Sequence, residues 1–174
     1  GFPSGYRGNG IPYRFAGFTN ENITVTIGNF YEQFGSGLIF RSYEERGLGL
    51  DNAMDGLRIN YRIFKGINAK AIIGKKRKYF GYGEGIVRGA DLDININEMI
   101  DSLQQKKTKF FLGGSMVSKY EKDQNSTYNL PENVAAFAGR ANLIHGGFNL
   151  FGEYVYKMND PYPMISATDV YNYN

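Results

Sequence analysis

The sequence predicts an all-β fold built from antiparallel hairpins. Apolar and polar residues alternate through most of the 174-residue chain, aromatic residues make up 16% of it, and 23 residues are Gly. Alternation with period two indicates strands with one apolar face, and aromatic residues with Gly favour sheet, tight turns and bulges. No apolar run approaches the roughly 20 residues of a membrane helix, whereas a strand of a membrane barrel needs only about 9–11 residues.

Seven strands follow from the alternation. In chain order they are 14–19, 23–30, 57–63, 67–74, 90–97, 134–143 and 148–157. The clearest is 57–63, whose apolar face consists of Leu57, Ile59, Tyr61 and Ile63. Short turns at 20–22, 64–66 and 145–147 join neighbouring strands into hairpins. Tyr154 and Tyr156 end the last strand as an interfacial aromatic girdle would.

Some stretches break the alternation. Residues 97–105 have helical spacing of apolar residues and predict a short helix or turn, with Asn97 as its cap. Gly-rich or polar runs at 35–37, 81–85 and 123–127 predict loops or bulges.

Alternation fits both a transmembrane barrel and a soluble β-sandwich, because each has one apolar face. The polar positions carry charges and amides side by side, as in Arg58, Asn60 and Arg62. Such rows suit a hydrated lumen and also the outer face of a soluble sheet. The even hairpin spacing and the aromatic content favour an up-and-down transmembrane barrel. The alternative is a soluble or surface-exposed sandwich that binds glycan through its 14 Tyr.

Four motifs carry a resemblance to a known family. They are GNFYEQFGSGLIFRSYEER at 28–46, DNAMDG at 51–56, GIVRGAD at 85–91 and GRAN at 139–142. They resemble an uncharacterised domain-of-unknown-function family of Bacteroidetes outer-membrane β-barrel proteins, over most of residues 1–160. The resemblance implies a longer barrel, of which this chain is the N-terminal or middle part, and it supplies no catalytic residues.

Clustered charges between residues 32 and 55 are the main candidate site. The carboxylates are Glu32, Glu44, Glu45, Asp51 and Asp55, and they flank Arg41 and Arg46. A glycosidase would use two such carboxylates, but a ladder of Arg–carboxylate pairs is favoured. The residues predicted to line a lumen or its constriction are Arg41, Glu44, Glu45, Arg46, Arg58 and Arg62.

Three familiar motifs are incomplete. Asp91, Asp93, Asn95 and Asn97 start like a calcium loop, but Ile96 and Ser102 stand where such a loop needs Gly and Glu. These residues therefore predict the polar face of a strand. The Gly-rich run 81–85 lacks the Lys-Ser/Thr of a phosphate loop. The single histidine, His145, lies in a predicted turn without a local partner set for catalysis or zinc.

The basic run 75–78, beside Tyr79 and Phe80, predicts either a barrel mouth near lipopolysaccharide phosphate or a solvated loop. Asp101-Ser102-Leu103 resembles the O-glycosylation motif of Bacteroidetes envelope proteins, which makes Ser102 a candidate glycosylation site.

Taken together, the sequence predicts that residues 1–174 are part of one outer-membrane β-barrel domain, truncated at both ends. The expected role is a porin-like or structural component of the bacterial outer membrane, in contact with lipid, lipopolysaccharide and other outer-membrane proteins. No enzyme activity and no cofactor are expected. The small net charge of +3 argues against nucleic acid as a partner, and zero Cys excludes disulfides and thiolate metal sites.

Overall fold

Antiparallel hairpins build most of the molecule. The structure is a computed structural model that describes residues 10–11, 13–78, 81–122 and 131–160. Its strands are β1 Phe15–Thr19, β2 Ile23–Phe30, β3 Glu44–Glu45, β4 Leu50–Asp51, β5 Met54–Phe64, β6 Ile67–Lys78, β7 Gly81–Asn95, β8 Thr108–Tyr120, β9 Asn133–His145 and β10 Phe148–Lys157. The helical turns of the described residues are α1 Ile96–Met99 and the 3₁₀ turns Arg46–Leu48 and Asp101–Leu103. None of the helices in these described ranges is long and apolar enough to cross a membrane.

Eight strands form one sheet in the order β1-β2-β5-β6-β7-β8-β9-β10, and every neighbouring pair is antiparallel. The prediction of an all-β antiparallel fold is therefore confirmed. Strands β3 and β4 pair with each other inside the connection from β2 to β5, residues 31–53. Strands β1 and β10 are the two edges, and among the described residues the sheet does not close on itself.

The predicted strands are all present, with longer bounds for several. β6 extends to Lys78, and β7 begins at Gly81. The predicted loop or bulge at 81–85 is a bulge within β7, because Lys75 pairs with Ile86 while Arg77 pairs with Tyr82. β8 has no counterpart in the sequence prediction. The loop predicted at 123–127 lies outside the described residues.

The short helix predicted near 97–105 is confirmed, but its predicted cap is wrong. The side chain of Asn95 caps α1 by accepting a hydrogen bond from the Glu98 amide at 3.2 Å. Asn97 is buried instead. Its amide nitrogen donates to the carbonyls of Leu103 and Thr108, and its oxygen accepts from the Phe110 amide. Asn97 thus holds the end of this connection against the start of β8.

Cross-strand pairing sorts the residues of the eight strands onto two faces. One row of directly paired residues runs Val25, Ile59, Ala71, Ala90, Met116, Phe137 and Tyr156. The neighbouring row on the other side of the sheet runs Asn60, Lys70, Asp91, Ser115 and Ala138. We call these the apolar face and the polar face. Successive side chains of a strand point to opposite sides of the sheet. Because paired residues of neighbouring strands share a side, each face continues from strand to strand.

Burial is unequal on the two faces. Large side chains of the apolar face are exposed, among them Tyr61 at 45%, Met116 at 44% and Tyr154 at 75%. The hydrophobic core lies on the opposite side of the sheet. There Phe30, Met54 and Ile72 of the strands pack around Phe34, which belongs to the connection 31–53. The core therefore forms between the polar face and the connection that folds over it.

Candidate functional site

Residues 31–53, which we call the covering segment, fold onto the polar face. The Phe34 side chain is fully buried, and its ring packs against the Phe40 ring, with centroids 5.1 Å apart and the ring planes tilted by 46°. A Cβ added at Gly89 would lie 2.6 Å from the Phe34 ring. The glycine in β7 therefore makes room for the aromatic ring that anchors the segment on the sheet.

The covering segment also brings a carboxylate to two basic residues of the sheet. The carboxylate of Glu32 lies 3.2 Å from Lys70 Nζ and 3.7 Å from the Arg58 guanidinium. Arg58 donates further hydrogen bonds to the Tyr31 carbonyl and to Thr26 Oγ1, each at 3.1 Å. The Glu32 side chain is only 10% exposed, so these pairs are partly shielded from water and from salt screening.

A second group of charges lies on β7 and β9. One Arg140 nitrogen, Nη2, lies 2.8 Å from Asp91 Oδ1 and 2.6 Å from Asp93 Oδ1. Ser115 on the intervening β8 donates to Asp91 and accepts from Arg140, both at 2.6 Å. The Arg140 and Asp91 side chains are 8% and 1% exposed, which makes this a buried ion pair.

Gly113 allows Arg140 to reach across β8. The register places Arg140 opposite Gly113, and Gly113 opposite Asp93. A Cβ at Gly113 would lie 2.4 Å from Arg140 Nε, closer than real atoms approach. The absence of a side chain at this position lets the arginine lie flat over the middle strand and contact the aspartates beyond it.

Lys70 connects the two groups of charges, and Glu153 connects the covering segment with β10. Lys70 Nζ lies 3.9 Å from Asp91 Oδ2, so it stands between Asp91 and Glu32. Glu153 on β10 accepts a hydrogen bond from the Ser36 amide at 3.1 Å. We call the whole set the charge network; its acids are Glu32, Asp91, Asp93 and Glu153, and its bases are Arg58, Lys70 and Arg140.

A cleft of about 320 Å³ opens beside the charge network. Lys70, Asp93 and Arg140 line one part of it, and Phe111, Asn142 and Phe151 line another. The Asn142 amide oxygen and Glu153 Oε1 are buried without a hydrogen-bond partner in the part of the chain described here. The polar face thus combines paired charges with a small space and unsatisfied acceptors.

The predicted constriction residues are dispersed. Arg41, Glu44, Glu45 and Arg46 are exposed in the covering segment, and Arg46 pairs with Glu44 at 3.1 Å with its side chain 87% exposed. Of the predicted set, Arg58 belongs to the charge network. Arg62 pairs with Glu98 at the start of α1. That these residues constrict a lumen stays a prediction.

A separate cluster ties the ends of the covering segment to the sheet. Asp51 forms an ion pair with buried Arg77, and Tyr31 donates to Asp51 at 3.2 Å. Burial raises the pKa of the Tyr31 hydroxyl, so it stays protonated as a donor. Tyr13 stacks on Tyr31, with ring centroids 5.7 Å apart. Asp55, at the start of β5, pairs with Arg14 rather than with this cluster.

The other sequence motifs take structural positions. Asp91, Asp93 and Asn95 lie in β7, as predicted for the polar face of a strand, and no group of three acidic or His residues in the described ranges could hold a metal ion. His145 ends β9 within 2.8 Å of Thr108 Oγ1. Ser102 is exposed in a 3₁₀ turn. The basic run 75–78 lies in β6, and its aromatic neighbours at 79 and 80 lie outside the described residues.

Sequence reasoning missed Arg140, Ser115 and Glu153 as site residues. Arg140 and Glu153 were within predicted strands, and each stands directly opposite the other in the β9–β10 register. The available signal for Arg140 was its position as the one charged residue in 135–141, a run otherwise made of Ala, Gly and Phe. Ser115 lies in β8, the strand that the alternation did not reveal.

These features define an all-β protein with one open eight-stranded sheet, an exposed apolar face and a polar face that holds a charge network. The profile of a family of unknown function (DUF6029) matches residues 1–174, so the chain belongs to that family. No curated protein and no solved structure matches the chain. The predicted membership in a domain-of-unknown-function family is confirmed, while the bacterial group and the outer-membrane location stay predictions.

Proposed function

We propose that the chain is part of a bacterial outer-membrane β-barrel, a porin-like or structural protein whose polar face lines the lumen. The exposed apolar face carries this proposal. It continues across all eight strands, from Phe18 in β1 at 61% exposure to Tyr156 in β10 at 58%. Monomeric soluble proteins rarely expose contiguous apolar patches of more than a few hundred Å². Lipid acyl chains are the environment that suits such a face.

The strand lengths support the same assignment. Strands β5 to β10 have 10 to 15 residues each. A tilted strand needs about 9–11 residues to cross the hydrocarbon layer of a membrane. Two-residue connections join β5 to β6 and β9 to β10 at the same end of the sheet, as the short turns on one side of an up-and-down barrel do.

A soluble sandwich would require a second sheet packed over the apolar face. The second sheet among the described residues consists of β3 and β4, two residues each, and it belongs to the covering segment. Both residues of β3 are exposed. This arrangement gives the glycan-binding sandwich less support than the barrel.

The charge network suggests how such a lumen behaves. Acids and bases meet across the polar face, and the covering segment occupies part of it. Mixed charges favour weak ion selectivity, and a partly filled lumen favours a small conductance. We expect no hydrolysis of glycans or peptides, and a glycan turnover that is lost on removal of Glu44 or Glu45 would contradict this expectation.

Membrane residence is the first test. In the native host, the full-length protein should stay with the membrane fraction through carbonate and urea washes and dissolve only in detergent. Recovery in the soluble periplasmic fraction would refute the barrel.

Conductance is the second test. The full-length protein in planar bilayers should give small, weakly selective currents. Glu32→Gln removes the charge that draws Arg58 and Lys70 to the covering segment, so the current should increase, whereas Glu44→Gln in the exposed β3 should leave it unchanged. A tight seal for all three proteins would favour a structural or assembly role over a pore.

A further inference from the structure

Charged residues share the apolar face at one end only. In the described strands they are Asp55, Lys75, Glu84 and Arg88, in three neighbouring strands β5, β6 and β7. Arg88 stands opposite Ile73 on one side and Ser118 on the other. From Arg88 toward the opposite end of the strand, β7 presents Ala90, Leu92 and Ile94 on the same face.

Arg88 and Lys75 are diagonal neighbours. Lys75 pairs with Ile86, and Arg88 pairs with Ile73 one step along the same two strands. Diagonal positions of an antiparallel pair lie about 7–8 Å apart. Two long basic side chains at this separation can contact the same ligand group. Both residues are exposed.

Neither basic side chain forms an ion pair with another described residue. Lys75 stands opposite Asp55, but that carboxylate is paired with Arg14 at 3.3 Å. Arg88 and Lys75 form no hydrogen bond or ion pair with another residue in the ranges that the structure describes. Two adjacent cations repel each other, and an anion bound between them removes that repulsion.

The position of the pair matters as much as its charge. An Arg at the middle of a lipid-facing surface costs about 2–4 kcal/mol, but near the interface it costs about 0–1 kcal/mol. Arg88 lies near the end of the apolar face, one row before Ile86 and Tyr120, and tyrosine is enriched at membrane interfaces. The anion that this level of a membrane offers is a lipid phosphate.

We propose that Arg88 and Lys75 bind the phosphate group of an anionic lipid at the edge of the apolar face. The guanidinium matches phosphate oxygens with two parallel N–H donors, and the ammonium adds a second charge. Ser118, opposite Arg88 on β8, offers a hydroxyl donor from the third strand. This inference rests on the proposed outer-membrane location.

The test uses the full-length protein in vesicles of phosphatidylcholine with and without phosphatidic acid, followed by detergent release and native mass spectrometry of retained lipid. The protein should retain phosphatidic acid in preference to phosphatidylcholine. The variant Arg88→Ala/Lys75→Ala should bind it roughly ten- to thirtyfold more weakly, since each basic residue near a membrane surface contributes about 1 kcal/mol. The swapped variant Arg88→Lys/Lys75→Arg should retain most of the binding.

A matched control removes the same charge elsewhere. Lys106→Ala/Lys107→Ala changes two exposed lysines just before β8 and should leave lipid retention unchanged. Equal retention by the two double variants would overturn the proposed site. Displacement of the lipid by inorganic phosphate at equal concentration would assign the site to free phosphate and also overturn the lipid proposal.

Insertion is measured in parallel as carbonate resistance in pure phosphatidylcholine vesicles. Insertion without lipid preference would refute the phosphate site alone. Failure to insert in any vesicle would refute the outer-membrane proposal, and the phosphate site with it.

Discussion

The two faces of the eight-stranded sheet are built from the same strands, yet among the described residues only the polar face is covered by another segment of the chain. The covering segment packs Phe34 onto it and brings Glu32 to Lys70. No described segment covers the apolar face in this way, and Met116 near its middle is 44% exposed. In a water-soluble protein the hydrophobic effect would bury the apolar face first. In the described residues, the fold therefore buries side chains of its polar face under the covering segment and leaves large side chains of its apolar face exposed.

The largest expected effect concerns the polar face. Arg140→Met leaves Asp91, which is 1% exposed, without its closest cation. Removing one partner of a buried ion pair costs about 3–5 kcal/mol, so the free energy of unfolding should fall by that amount. Urea unfolding of the detergent-solubilised protein would measure it.

Arg46→Met is the control, because it removes an equal charge from an ion pair whose arginine side chain is 87% exposed. Exposed pairs contribute about 0–1 kcal/mol. Similar losses for both variants would mean that the polar face is open to water and that the charge network contributes no more than surface charges do.

The next effect compares the faces directly. Met116 and Phe151 are exposed to similar extents, 44% and 49%, but Met116 lies on the apolar face and Phe151 on the polar face. If lipid surrounds the apolar face, Met116→Arg should cost about 2–4 kcal/mol of folding free energy in vesicles. Phe151→Arg should cost little, because it points toward the hydrated side.

Folding yields in lipid vesicles would measure this pair of variants. In water, a substitution at an exposed position changes stability by about 0.5 kcal/mol or less. Equal yields, or a lower yield for Phe151→Arg, would contradict the assignment of the two faces.

Local alternation was sufficient to predict most of the sheet. The strand 57–63 alternates without interruption, and the structure places it in β5 with the predicted faces. β8 escaped prediction because Gly113 and Gly114 interrupt the alternation at its centre. Gly113 makes room for Arg140, a tertiary requirement that no local pattern reveals.

The charge network was predictable only in part. Arg58 and Asp91 stood out as charges at polar positions of predicted strands. Their partners depend on the fold of the covering segment, which brings Glu32 to Lys70 across 38 residues of sequence. For the same reason Glu44 and Arg46, although close to Glu32 in sequence, lie away from the network.

A smaller effect tests the passage of Arg140 over β8. Gly113→Ala places a Cβ 2.4 Å from Arg140 Nε and must displace that side chain. We expect a loss of about 1–3 kcal/mol, as for other overpacking substitutions. Gly139 lies on the neighbouring strand and the apolar face, and a Cβ added there meets no atom within 4 Å. Gly139→Ala should therefore leave the free energy of unfolding unchanged or raise it slightly. Urea unfolding of both variants would check the difference, and equal stability would show that Arg140 has room to move.

The smallest effect concerns the contact that ties the covering segment to the last strand. The Glu153 carboxylate accepts a hydrogen bond from the Ser36 amide at 3.1 Å. A hydrogen bond to a charged group contributes about 1.5–3 kcal/mol, and one between neutral groups about 0.5–1.5 kcal/mol. Glu153→Gln keeps an acceptor but removes the charge, so the bond should weaken by about 1 kcal/mol. Hydrogen exchange at the Ser36 amide should then become about fivefold faster, since 1 kcal/mol corresponds to roughly that ratio.

Glu44→Gln, an equal change in the exposed β3, should leave the Ser36 amide unaffected. If exchange at Ser36 is as fast in the unmodified protein as in Glu153→Gln, the covering segment is not held at β10, and the polar face is less completely covered than the contact implies.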